Sequence, residues 1–259
     1  MDAKGGVPTL ILNMRNIRLK LEYDGTDFHG FQVQPALRTV QGTVERVLSE
    51  LLQGQVRLIS AGRTDEGVHA RGQVVNLKTG SRMSCETLKR ALNAKLPMDV
   101  AILEAHEVGP EFHSRFSAIS REYEYVLSTV RSPIVRRYAW YIKYQLNFDA
   151  LKEAARLLIG RHDFRSFCVA KSGVDGTECV VYSSNWKRQK ELLKYDVEAD
   201  RFLHNMVRIM VGTMVEIGRG KRSAADLVEM LGAGDRRRAG PTAPAHGLFL
   251  TEVNYGRTD

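Results

Sequence analysis

The chain has 259 residues, 43% of them hydrophobic, and a formal net charge of +8. That length supports a sizeable core in one large domain or two small ones, and the basic balance suits a polyanionic partner such as nucleic acid, although an ordinary basic protein carries a similar charge. Its three cysteines (Cys85, Cys168, Cys179) form no Cys-x-x-Cys pair and its seven histidines no His-Glu-x-x-His pattern, which argues against a disulfide framework and against a metal site and fits a reducing cytoplasm.

No apolar run approaches the roughly 20 residues that a membrane span needs. Residues 1–13 hold one short apolar patch, Leu10-Ile11-Leu12, without a cleavage pattern, so they do not read as a signal peptide. Residues 1–15 are either an extension or, with Met14 as the start, mostly outside the protein proper. Ile17, Leu19, Leu21 and Tyr23 alternate with Arg18, Lys20, Glu22 and Asp24, the pattern of a half-buried strand. Val40, Val44, Val47, Leu48, Leu51 and Leu52 fall at helical spacing, with Gly54 as the stop. Strands are predicted at about 56–61 and 73–78, a helix from an N-cap at Ser84, and a strand from Asp99 to Val108.

The second half repeats that order. Tyr123, Tyr125 and Leu127 alternate in a strand, and Leu151, Ala154, Ala155 and Leu158 mark a helix stopped by Gly160. Strands near 178–188 and 191–200 precede a helix carrying Leu203, Val207, Met210, Val211 and Met214. A short helix near 223–231 and a strand from Gly247 to Val253 follow. Strand, helix, strand, strand, helix, strand is the order of the ferredoxin-like split β-α-β motif. The expected class is α+β, with one such half at 16–117 and another at 118–259. Links are expected at Thr79–Arg82, Val130–Arg136, Ala170–Gly176 and Gly232–Gly240. In the last of these, Arg236-Arg237-Arg238 reads as a solvated charge run before it reads as an RNA contact.

The most informative loop is Gly62-Arg63-Thr64-Asp65-Glu66-Gly67-Val68-His69-Ala70, polar between two predicted strands. Loops on a rigid scaffold concentrate catalytic groups, yet the same composition makes an ordinary turn. Taken with Tyr23-Asp24-Gly25-Thr26, Gly30-Phe31-Gln32, Gly72-Gln73-Val74-Val75, Phe112-His113-Ser114-Arg115-Phe116, Arg121-Glu122-Tyr123-Glu124-Tyr125 and Phe202-Leu203-His204-Asn205-Met206-Val207-Arg208, the chain from about Ile17 to Tyr255 resembles the tRNA pseudouridine synthase A (TruA) family.

That resemblance implies the two halves' sheets joined into one continuous, mainly antiparallel sheet flanked by helices, with a central active-site cleft. It implies isomerisation of uridine to pseudouridine in the anticodon stem–loop of tRNA, at tRNA positions 38 to 40, by a cytoplasmic homodimer without cofactor or metal. Asp65 aligns with the family's catalytic carboxylate, which attacks the sugar covalently or stabilises and deprotonates it. Glu66 stands where the family usually has a small residue. Arg208 is implied to form a buried pair with Asp65, against a bland reading as a boundary arginine that snorkels to water. Tyr123 aligns with the family's base-stacking tyrosine, although spacing alone does not separate it from Tyr125. Arg63 is implied to hold the tRNA and fill the space of the flipped base. Phe112, His113, Ser114, Arg115 and Phe116 align with a tRNA-contacting segment, the two phenylalanines reading equally as core. Lys171 is a weaker RNA candidate. The rivals are a non-catalytic RNA-binding protein and a metal-dependent nuclease; the latter usually gathers several carboxylates.

Overall fold

The computed structural model describes residues 14–169 and 176–256. The expected link around Ala170 and the candidate Lys171 lie outside the described residues.

The first strand, β1 (Arg15–Tyr23), buries the alternate residues Ile17, Leu19, Leu21 and Tyr23 to 3% exposure or less. Helix α1 (Val40–Leu52) starts where the Thr39 side chain accepts the Gly42 N–H. It ends one residue before the expected glycine: Gln53 takes the left-handed conformation at φ 53°. Strand β2 is shorter than predicted, only Ile59–Ser60. The reason is local: the Val56 N–H donates to Ser49 Oγ (3.1 Å) and the Leu58 N–H to Glu45 Oε1 (2.8 Å), so side chains of α1 take donors that a strand would have used. Strand β3 is longer than predicted, His69–Thr79. Helix α2 (Cys85–Lys95) is capped by Ser84 as expected, and β4 (Val100–Val108) closes this half.

The second half contains β5 (Ala118–Ser128), the two-residue β6 (Trp140–Tyr141), α3 (Phe148–Arg156), β7 (Gly160–Asp163), β8 (Glu178–Gln189), β9 (Leu192–Ala199), α4 (Met206–Gly218), α5 (Ala224–Ala233) and β10 (Leu248–Tyr255). Leu203 lies before α4, not in it. Arg236–Arg238 form a 3-10 turn with protein partners: Arg236 reaches the Gly240 carbonyl at 2.9 Å, Arg237 the Asp235 carboxylate at 2.8 Å, and Arg238 the Glu229 carboxylate at 3.0 Å.

One mixed, mostly antiparallel sheet runs in the order β4-β1-β3-β10-β5-β9-β8-β7, with β2 on β3 and β6 on β5. The segments β4-β1-β3-β2 and β10-β5-β9-β8 each show the fourth-first-third-second order of the split β-α-β motif. They meet at a parallel contact between β3 and β10, with Phe249 opposite His69 and Leu250 opposite Ala70. A glycine is required at that seam: a Cβ on Gly72 would stand 2.2 Å from the Thr251 carbonyl oxygen. Paired residues share a face of a sheet, so a row Tyr23, Ala70, Leu250, Tyr123, Val197 crosses the molecule on one side. On that side, one core packs around α1 and α2 and another around α3, α4 and α5, and Tyr123 touches both.

Candidate active site

The loop from Ala61 to Val68 joins β2 to β3 and is pinned at several points. The Ala61 N–H donates to the Val74 carbonyl (2.9 Å), and the Thr64 carbonyl accepts from the Phe31 N–H (3.0 Å). The Thr64 hydroxyl, 7% exposed, lies 2.7 Å from the Tyr23 hydroxyl. Gly30, at φ 84°, lets the neighbouring chain pass so close that a Cβ would sit 3.0 Å from the Thr64 carbonyl oxygen. Thr64 thus turns into the core, while Arg63 is exposed and Asp65 half-buried. Glu66 points outward, 71% exposed, with its carboxylate 3.4 Å from His29 Nδ1.

The residues preceding and opening α4 face this loop. Asn205 stands at φ 62°, a left-handed conformation uncommon outside glycine but tolerated best by asparagine and aspartate. Arg208 Nη1 donates to Asp65 Oδ2 at 3.2 Å and to Asn205 Oδ1 at 2.7 Å, and its Nε donates to the Ala243 carbonyl at 2.8 Å. Its side chain keeps 18% exposure and that of Asp65 29%. The pair implied by the resemblance is therefore present as a single contact in a part-exposed setting, not as a deeply buried fork. On the other carboxylate oxygen, His204 Nε2 lies 3.5 Å from Asp65 Oδ1. His204 and Asn205 were not singled out by sequence reasoning; their only signal was membership of the segment that carries Arg208.

The two tyrosines of β5 differ in what lies around them. Tyr125 is 0% exposed, its hydroxyl donates to the Pro244 carbonyl at 2.8 Å, and Gly247 packs on its ring so closely that a Cβ would stand 2.7 Å away. It is a locked core residue. Tyr123 is half-buried, edge-to-face with Phe202 at 5.1 Å. Burial, then the neighbouring Tyr23 and the Asp65 carboxylate, push the Tyr123 phenol above its ordinary range, so it stays protonated near neutral pH.

The segment after β4 divides in two. Ser114 is 0% exposed, and its N–H and hydroxyl both donate to Asn76 Oδ1, at 2.9 and 2.8 Å. Its carbonyl accepts from the Tyr255 hydroxyl at 2.8 Å, so Ser114 anchors the segment and offers no side-chain surface to a ligand. Phe112 is half-buried, 5.0 Å from the Tyr255 ring. In contrast Phe116 is 76% exposed, with the His113 ring 4.4 Å away and the Arg115 guanidinium carbon 5.5 Å from the ring centroid. Three of the five candidates thus form an outward aromatic and cationic platform, and two hold it in place.

Among the described residues there is no group of three or more His, Cys, Asp or Glu side chains placed to hold a metal ion, and no helix long and apolar enough to cross a membrane.

A family model described as tRNA pseudouridine synthase matches residues 21–117 and 154–256, spans that include Asp65, the segment 112–116 and Arg208 but not Tyr123. Curated relatives carry the name tRNA pseudouridine synthase A. The Geobacillus kaustophilus (strain HTA426) protein is 46% identical over 244 residues, covering 93% of this chain and 95% of that protein. The Halalkalibacterium halodurans relative is 46% identical over 245 residues, 93% of each chain. The Bacillus subtilis (strain 168) relative is 44% identical over 245 residues, 92% of this chain and 99% of that protein. Identity of this degree, spread over both halves and over nearly the full length of the relatives, means that the chain belongs to the tRNA pseudouridine synthase family.

Proposed function

We propose that this protein isomerises uridine to pseudouridine in the anticodon stem–loop of tRNA, at tRNA positions 38 to 40, with Asp65 as the nucleophile. The observation that carries the reading is the Asp65 carboxylate at the seam of the two halves, held by Arg208 at 3.2 Å, on a loop that is otherwise fixed by backbone bonds. The choice of tRNA positions, action as a homodimer and a cytoplasmic location rest on the family resemblance.

The target base leaves its stack to be reached, as for other enzymes that act on a base. The Asp65 carboxylate attacks C1′ of the ribose, and the bond from C1′ to N1 of uracil breaks with its electron pair leaving on the base. Arg208 donates to the carboxylate from Nη1 at 3.2 Å and so orients it and sets a positive charge beside it. The freed base turns on the Tyr123 side, its C5 attacks C1′ as the Asp65 ester bond breaks, and a proton leaves C5 while one is taken up at N1. Bonds made and broken balance, so the isomerisation draws on no oxidant and no energy source. Arg63 and the platform of His113, Arg115 and Phe116 hold the RNA through phosphate contact and stacking.

Mapping pseudouridine in tRNA from cells with and without this gene tests the reading. Loss of the modification at positions 38 to 40 is expected in the deletion, restored by the gene in trans; an unchanged map overturns it. Purified enzyme dialysed against a strong chelator and assayed in chelator is expected to keep full turnover on prefolded tRNA, because no step above runs through a metal. Activity that returns only with a divalent ion would overturn that mechanism.

Arg63→Ala and Arg115→Ala are each expected to weaken tRNA binding and to lower the dependence of log affinity on log salt by about one unit per lost phosphate contact. Both side chains are exposed, so thermal unfolding is expected to stay within about 0.5 kcal/mol of the parent. Filter binding across a salt series checks this. Unchanged affinity and slope in both variants would leave the two arginines as solvated surface.

A further inference from the structure

We propose that Arg121 is the positioning residue that holds the Asp65 loop in register with Tyr123 across the seam of the sheet. This rests on the reading of Asp65 and Tyr123 as the reacting site and adds a residue which that reading does not use.

Arg121 lies on β5 two residues before Tyr123, on the same face, paired with Ala199 of β9 and Val253 of β10. Its guanidinium meets backbone carbonyls from three separate places. Nη2 donates to Ala61, the first residue of the Asp65 loop, at 3.1 Å, and to Arg115 of the exposed platform at 2.7 Å. Nη1 donates to Asp200, just past β9, at 2.8 Å and to Ala118 at 3.2 Å. Four bonds occupy four of the five N–H groups that an arginine carries. Little donor capacity is left for a phosphate, so the guanidinium is built into the protein.

The geometry explains why a side chain is needed there. Among the described residues, the strand ladder that joins the two halves comprises two residue pairs, His69 with Phe249 and Ala70 with Leu250. The Asp65 loop belongs to one half and Tyr123 to the other. Ala61 is fixed on its N–H by Val74 of its own half and on its carbonyl by Arg121 of the other. Arg121 is thus the link from the strand of Tyr123 to a point four residues before the carboxylate. Burial lowers its pKa, but an arginine remains charged over any working pH, and charge strengthens each of the four bonds. A lysine keeps the charge but carries a single compact ammonium, which does not span the four carbonyls.

The test uses the full chain with tRNA and two variants, Arg121→Lys and Arg121→Met, assayed at a temperature where circular dichroism shows each folded. Single-turnover isomerisation at saturating enzyme and tRNA affinity are measured separately. Misplacement of a reacting group by about 1 Å costs on the order of 10²-fold in rate, so the rate is expected to fall about 100-fold in Arg121→Lys and at least as far in Arg121→Met. Affinity is expected to fall less than about tenfold, well short of the loss in rate, because only the bond to the Arg115 carbonyl reaches the RNA platform and no lost bond is made to RNA. Parental single-turnover rates in the folded variants would overturn the proposal, as would a loss lying wholly in affinity. A residue that only stabilises the fold would lower the unfolding temperature and leave the rate per folded molecule unchanged. Should Arg121→Met not fold, Arg121→Lys, which keeps charge and bulk, decides. Asp65→Asn in the same assay separates the two readings: turnover by that variant overturns the role of Asp65, whatever the Arg121 variants do.

Discussion

Asp65→Asn is expected to bind tRNA within about twofold of the parent and to form pseudouridine at least about 10⁴-fold more slowly, the scale on which enzymes lose turnover when a covalent nucleophile is removed. The substitution keeps size and shape and removes only the charge and nucleophilicity of one oxygen. It also leaves the fold intact, because Arg208 retains the Ala243 carbonyl and Asn205 Oδ1 as acceptors. Glu66 does not substitute, since its carboxylate is 71% exposed and directed to His29. The measurement is isomer detection on tRNA alongside a binding assay. A protein that merely held RNA in a basic cleft would lose nothing by this change, so the same pair of assays decides between enzyme and binding module. Near-parental turnover would remove Asp65 from the mechanism.

Much of this architecture was legible in the residues themselves. Alternation exposed β1, and helical spacing exposed α1 and its buried Val40, Val44, Val47 and Leu48. What alternation missed has physical causes. The side chains of Ser49 and Glu45 take the amide donors of Val56 and Leu58, a tertiary competition that leaves the apolar pattern of that stretch unchanged but shortens β2. Strand β7, Gly160-Arg161-His162-Asp163, has no apolar alternation because it lies at the edge of the sheet, paired only with β8. The parallel seam between β3 and β10 joins residues about 180 positions apart and has no local signature.

The site divides the same way. The polar loop around Asp65 stood out by composition and position. Tyr123 and Tyr125 could not be separated by spacing, because residues two apart on a strand share a face. What distinguishes them comes from Pro244 and Gly247, far along the chain, which bind and pack the Tyr125 ring, whereas Tyr123 stays half-buried. Ser114 belongs to the segment that the resemblance sets against tRNA, and its own side chain is a buried anchor to Asn76, an environment that the sequence does not display.

Arg208→Met is expected to impair catalysis and stability together, and the two losses have different origins. Catalytically, it removes the cation that faces Asp65 Oδ2, and loss of one preorganised charge or donor at a reacting group costs about 10²- to 10³-fold. For stability, removing one partner of a fully buried pair costs about 3–5 kcal/mol. The exposures of 18% and 29% and the single 3.2 Å contact place this pair below that range, so about 1–3 kcal/mol is expected. Part of that cost has nothing to do with Asp65, because the Ala243 carbonyl and Asn205 Oδ1 lose their donor as well. Adding Asp65→Asn to Arg208→Met is therefore expected to restore only the share due to the stranded carboxylate, a coupling of about 0.5–1.5 kcal/mol in unfolding free energy, while activity stays absent. Denaturant unfolding of the four proteins in the cycle measures it. Strict additivity would mean that the carboxylate and the guanidinium do not support each other, and the account of how Arg208 holds Asp65 would fail with it.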